Sequence, residues 1–161
     1  MNTLRSEMRV GRKNILFGAF LFLLFAVCMG IPLTINLFGG SALSAEQYEL
    51  WKVVHAYGLF LGVINVFLGT SINNLQLSRG QKELLSWSFI IAALFGAIVR
   101  MALVLLAVYD TWHLVPSFGE AVFFSIGLAL FVYGLSRAGD QIETTTPRMP
   151  TAEDRPVRTK A

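Results

Sequence analysis

Apolar and polar residues are laid out in blocks along this chain. Four runs, Asn14–Phe38, Tyr48–Leu77, Leu84–Tyr109 and Pro116–Ser136, are hydrophobic over most of their length, and polar residues gather between and beyond them. Each run reaches or exceeds the ~20 residues that carry a helix across the hydrocarbon core of a bilayer. Inside lipid the backbone must satisfy its own N–H and C=O groups, which for runs of this kind means helix. The pattern predicts an all-α, four-helix transmembrane bundle over residues 14–138. A basic arm over 1–13 precedes it, and a tail over 139–161, rich in Thr, Pro and charge, is expected to be disordered.

Local signals punctuate the runs. Pro32 lacks an N–H, so it should kink the first helix or make its last turn irregular, and Gly39-Gly40 reads as the helix stop. Ser44 followed by Gln47 is a capping-box pattern opening the second helix. Tyr48, Trp51 and Tyr57 fall where an aromatic belt would anchor that helix at the membrane interface.

Composition agrees with the pattern. Hydrophobic residues make up 55% of the chain and charged residues only 14%, against about 25% charged in a soluble domain. The distribution of charge matters more than the net +3. Lys and Arg cluster before the first run, between the second and third, and after the fourth; Gly39–Gln47 and Asp110–Val115 have none. The positive-inside rule then puts both termini in the cytoplasm with two outward loops, and no nucleic-acid partner is needed to explain the basic balance. The second of those loops, DTWHLVPSFGE, carries Asp110, His113 and Glu120. The single cysteine, Cys28, excludes an intrachain disulfide framework. The first run is too long for a signal peptide and lacks an A-x-A-like site, so it reads as a retained helix. Signatures of soluble nucleotide-binding, hydrolase and zinc-protease sites are missing. The carboxylates cluster outside the apolar runs, which gives no sign of a proton relay through the membrane.

Candidate chemistry concentrates in the second run. On a helix, His55, Gly58, Gly62, Asn65 and Gly69 share one face. The third run holds Arg100, a charge that at such depth costs at least ~2.5 kcal/mol unless paired or wetted. Two readings stay open. In one, His55 is an iron ligand, the glycines admit a flat haem, and Arg100 meets a haem propionate. In the other, His55 and Asn65 hydrogen-bond between helices, Arg100 pairs with Asp110, Glu46 or Glu49, and the glycines are ordinary helix packing.

Further motifs bear on the choice. Gly11–Gly40, with GRKNILFGAFLFLLF and INLFGG, resembles the first helix of styrene oxide isomerases, small bacterial four-helix membrane enzymes. WKVVH (Trp51–His55), Gly62 and LQLS (Leu75–Ser78) are similar to the second helix of that family and of hydroxylaminobenzene mutases. The resemblance spans roughly residues 11–109. It implies a bacterial inner-membrane isomerase or mutase acting on a small apolar or aromatic substrate that reaches it through lipid. It also implies haem b lodged between the subunits of a homotrimer, His55 as the metal ligand, and epoxide-to-carbonyl rearrangement with iron as Lewis acid. On the residue chemistry above, Gly58, Gly62 and Arg100 would then be cofactor contacts, although the family assigns no role to Arg100. The family's Asn before the glycine is Leu61 here, and the Asn and Tyr of its third helix fall at Val99 and Leu103. Asn65, one turn past Leu61, is the residue left to serve as the catalytic amide. Haem-binding without isomerase activity, and a cofactor-free packing subunit, are the alternatives.

Overall fold

A computed structural model describes the backbone of residues 2–108 and 114–145, and the side chains of residues 10–108 and 114–138. Every element among the described residues is helical. The first span joins α1 (Asn2–Leu23), a π-helical segment (Leu24–Met29) and α2 (Gly30–Leu37). The second is α3 (Ala45–Ser71), closed by a 3-10 turn (Ile72–Asn74). The third joins α4 (Arg79–Ala93), a second π-helical segment (Leu94–Val99) and α5 (Arg100–Leu105); the fourth is α6 (Leu114–Thr145). Four stretches, Val10–Leu37, Ala45–Asn74, Arg79–Leu105 and Leu114–Ala138, are long and apolar enough to cross a membrane. The chain is therefore a multi-pass membrane protein.

The chain departs from the expected boundaries at both ends. The basic arm is no separate segment, because α1 runs without a break from Asn2. The expected disordered tail gives up its first residues to α6, which continues to Thr145; the remainder, 146–161, lies outside the described residues. Asp110 and His113 also lie outside them. Glu120, expected in a loop, sits inside α6.

Turn chemistry explains the helix ends. Gly39 takes φ +86°, a backbone conformation glycine adopts without a Cβ penalty, and the N–H groups of Phe38, Gly39 and Gly40 return to the carbonyls of Thr34, Asn36 and Ile35. Asn36 Oδ1 then accepts from the N–H groups of Ala42 and Leu43, which turns the chain toward α3. Both halves of the Ser44–Gln47 capping box form, and a second box at Ser78–Gln81 opens α4. The irregularity expected from Pro32 appears just ahead of it, as the wider π-helical ladder of Leu24–Met29. The Met29 carbonyl accepts the Trp51 indole N–H at 2.8 Å. Trp51 is consequently buried in the bundle rather than placed in an interfacial belt.

Glycines set how closely the spans approach. On the α1–α3 seam Gly11 meets Gly69 and Gly18 meets Gly62: a Cβ at Gly69 would lie 2.6 Å from the Gly11 carbonyl oxygen, and one at Gly18 would lie 2.5 Å from that of Gly62. On the α4–α6 seam Gly127 fits under Phe89, and further along α6 Gly134 fits against Leu77 in the link that precedes α4. Between two apolar clusters, one around Phe25 and Trp51 and one around Ile72 and Leu85, lies a polar knot. Asn14 Nδ2 donates to Asn65 Oδ1 (3.0 Å) and to the Ser86 carbonyl (3.3 Å), Ser86 Oγ donates to Asn14 Oδ1, and Asn65 Nδ2 donates to the Leu61 carbonyl (3.0 Å). The knot ties the first three spans in one register. An unpaired amide in such a dry place would lose its hydration without recompense, so the network forms complete or not at all.

Substitution of Gly69 by Leu should lower the melting temperature of the detergent-solubilised protein by an amount equivalent to about 1–3 kcal/mol of overpacking. Gly80→Ala, at a site with nothing within 4 Å, should leave it unchanged or slightly raised. Paired thermal melts of the two variants check this.

Candidate functional site

His55 and Arg100 occupy opposite sides of α3. His55 lies on the flank that meets the first span, where its Cε1 is 3.6 Å from the position a Cβ on Gly30 would take. Its Nδ1 is buried and has no hydrogen-bond partner among the described residues. An imidazole nitrogen in that condition is unusual, because buried polar atoms are almost always paired. Down the same flank of α3, roughly 10 Å below, a groove of 370 Å³ opens between the first two spans, lined by Phe22, Gly62, Val63, Val66, Phe67 and Thr70.

Arg100 faces the other way. Its Nη2 pairs with Glu120 Oε2 at 2.9 Å and donates to Ser117 Oγ at 3.0 Å. Its guanidinium carbon lies 5.1 Å from the centre of the Tyr57 ring, and the Tyr57 hydroxyl donates to Glu120 Oε1. Tyr57 follows His55 by two residues, a rotation of roughly 200° about the α3 axis, so the two sites are separated by the helix itself. The carboxylate is the buried member of the pair: the Glu120 side chain is 9% exposed and that of Arg100 27%. Glu120 fits because Gly96 faces it, and a Cβ there would sit 2.8 Å from the carboxylate carbon. Above the pair, toward the end of the bundle that carries Ser44, is a cavity of 610 Å³. Arg100 and Ser117 line it, its walls include Leu50, Val54, Leu103 and Val104, and Glu46 and Glu49 stand at its rim.

The residues singled out in the sequence are thus not brought together. Gly62 borders the groove on the His55 flank, but Gly58 does not: the Phe25 ring covers it, within 2.3 Å of where a Cβ would be. Arg100 cannot serve a ligand held by His55 of the same chain, since it lies across α3 with its own carboxylate partner. Asn65 is fully buried, about 15 Å further along α3 than His55, and both ends of its amide are engaged in the polar knot. It registers helices instead of facing a pocket. Of the carboxylates expected to answer Arg100, Glu46 and Glu49 only share the cavity rim, and the partner is Glu120. The sequence held one signal for it: Glu120 falls beyond Pro116, inside the fourth apolar run, where a carboxylate needs a cation.

These positions also bear on what could be bound. No group of three or more His, Cys, Asp or Glu side chains able to hold a metal ion exists among the described residues. A lone histidine suits a metal that arrives with most of its ligands, as haem iron does. His55 with its unpaired nitrogen, Gly30 beside it and the groove past Gly62 fit such a group; Gly58 and Arg100 do not.

The sequence model of one protein family, described as styrene oxide isomerase, matches residues 11–135. Among curated proteins none matches the chain. Among solved structures none matches it either.

Removing Glu120 alone, as Glu120→Leu, should destabilise the protein by about 3 kcal/mol, because the half-buried guanidinium is left without its counter-charge. Arg100→Met combined with Glu120→Leu should recover most of that loss. A double-mutant cycle of thermal melts in one detergent measures the coupling.

Proposed function

The chain belongs to the styrene oxide isomerase family, and from that premise we propose that it catalyses an intramolecular rearrangement, epoxide to carbonyl, of a small apolar or aromatic molecule taken from the bilayer. The supporting observation within the molecule is the buried, unpartnered Nδ1 of His55, with an open groove roughly 10 Å further along the same flank of α3. In this reading His55 holds haem b, with Gly30 leaving room beside the imidazole and Gly62 bordering the groove. Haem iron with one protein ligand supplies a Lewis acid at its free face.

The rest of the work falls to the protein. In the rearrangement a carbon–oxygen bond of the epoxide breaks, a hydrogen migrates with its electron pair to the neighbouring carbon, and a carbonyl forms. No atoms are added and no net oxidation occurs. Water is the competitor, since it would trap the opened ring as a diol. A groove walled by Phe22, Val63, Val66 and Phe67 keeps water scarce and favours migration over capture. The rearrangement needs no second redox site, which agrees with His55 being the single histidine on the described spans. The groove faces outward from the chain, and the proposal includes a homo-oligomer in which a second copy covers it. It also includes insertion in a bacterial inner membrane with both termini cytoplasmic, as the Lys and Arg distribution favours.

The test is direct. Protein purified in detergent and supplied with haem should show a Soret band, and it should convert styrene oxide to phenylacetaldehyde. His55→Ala should lose the band and at least about 100-fold in rate, the scale of removing a key transition-state contact. A wild-type protein that stays colourless after haem addition, or binds haem and leaves the epoxide intact, would overturn the corresponding half of the proposal.

A further inference from the structure

The cavity on the far side of α3 has no part in the reading above. We propose that it is a second binding site, for neutral apolar molecules that carry one hydrogen-bond-accepting oxygen, with Arg100 as the donor to that oxygen.

Three features define the ligand. The walls are aliphatic, supplied by α3 (Leu50, Val54) and α5 (Leu103, Val104), so the body of the ligand must be apolar. The volume, 610 Å³, lies within the ~300–1,000 Å³ usual for small-molecule sites. Arg100 opens α5, about one helical turn before Leu103 and Val104, which line the cavity with it. A guanidinium has five N–H donors in a rigid fork; Nη2 serves Glu120 and Ser117 and a further contact goes to the Tyr57 hydroxyl, which leaves donors over on the rest of the fork.

Charge decides between a neutral ligand and an anion. Glu120 already answers the positive charge of Arg100, so a bound carboxylate would make the site net negative. Glu46 and Glu49 at the rim repel anions further; Glu49 is paired with Lys52 at 2.8 Å, and Glu46 is exposed. A neutral oxygen gains a charge-assisted hydrogen bond at the base of the cavity without either penalty. The ion pair has a second effect. Glu120, held by Tyr57, fixes the guanidinium in place, so its remaining donors are oriented before any ligand arrives.

The ligand class includes epoxides and carbonyls of the kind proposed above, and the inference leans on that reading only for its choice of probe. The site is separate from His55, so it would hold substrate or product that the His55 flank is not using.

Photolabelling of the full chain in nanodiscs with an aryl trifluoromethyl-diazirine bearing an acetyl group tests this. Cross-links mapped by peptide mass spectrometry should fall on residues 50–54 and 103–108, and excess acetophenone should compete them away. Leu103→Phe, which fills the cavity, should reduce labelling there by about fivefold or more, the effect of one lost hydrogen bond or its equivalent in contacts. Arg100→Met with Glu120→Leu should do the same while keeping the charge balanced. His55→Ala should label like wild type. Labelling spread over lipid-facing positions without competition would overturn the proposal. So would stronger competition by benzoate than by acetophenone, or loss of cavity labelling in His55→Ala. A Soret band and isomerase assay on the same samples report separately on the His55 reading, so either can fail alone.

Discussion

A guanidinium in the interior of an apolar bundle has to be answered within its own reach, and that requirement shapes one half of this protein. Arg100 opens α5 directly after a π-helical segment, and its charge is met by a carboxylate from the neighbouring span. For Glu120 to come within 2.9 Å, the third and fourth spans must lie close. Gly96 makes that approach possible, and Phe95 against Gly119 fills the space beside it. Tyr57 then draws α3 into the same centre through its hydroxyl on Glu120 and its ring under Arg100. Three of the four spans are thus organised by one ion pair. Its coulombic gain is offset in large part by the desolvation of both charges, so its main consequence is register and orientation.

The other half is organised by shape and by the amide knot. Gly11, Gly18, Gly62 and Gly69 let α1 and α3 approach until backbone meets backbone. Close backbone contact yields dispersion energy that lipid tails would not supply. Asn14, Asn65 and Ser86 complete the seam with hydrogen bonds whose donors and acceptors match. The π-helical segments lie toward the far end from this knot, where His55 and Arg100 are found. They shift helix phase locally, and in the first span the Met29 carbonyl is taken by Trp51.

Much of the fold was legible in the sequence because hydropathy, glycine turns and capping boxes are local signals. The four spans, the turn at Gly39 and the cap at Ser44 all follow from residues within a few positions of one another. The site was less legible because it depends on what covers a face. A helical wheel groups His55, Gly58, Gly62 and Asn65 correctly, but it cannot say that Phe25 lies on Gly58, that Gly18 lies on Gly62, or that Asn14 takes Asn65. Glu120 was read as a loop residue because polar and turn-forming residues precede it, although Pro116 belongs at the start of a helix. Once Glu120 is helical, its pairing with Arg100 follows from the cost of leaving either charge alone.

Helix α3 acts as a partition. Two residues of advance along it, from His55 to Tyr57, carry the chain from one flank to the other. The His55 flank offers an unpaired nitrogen and a groove open to the outside of the chain; the Tyr57 flank offers a held cation and a cavity lined by three spans. Any group held at His55 and a hydrogen-bond donor at Arg100 therefore cannot act on one molecule within one chain at one time. Any chemistry on the His55 flank must find its polar contacts there or on a second copy of the chain. The positions where the family carries polar residues on the third span, Val99 and Leu103, are apolar here, and Leu103 lines the cavity instead of the groove. On that side of α3, Arg100 and Ser117 are the polar residues of the third and fourth spans that line the cavity.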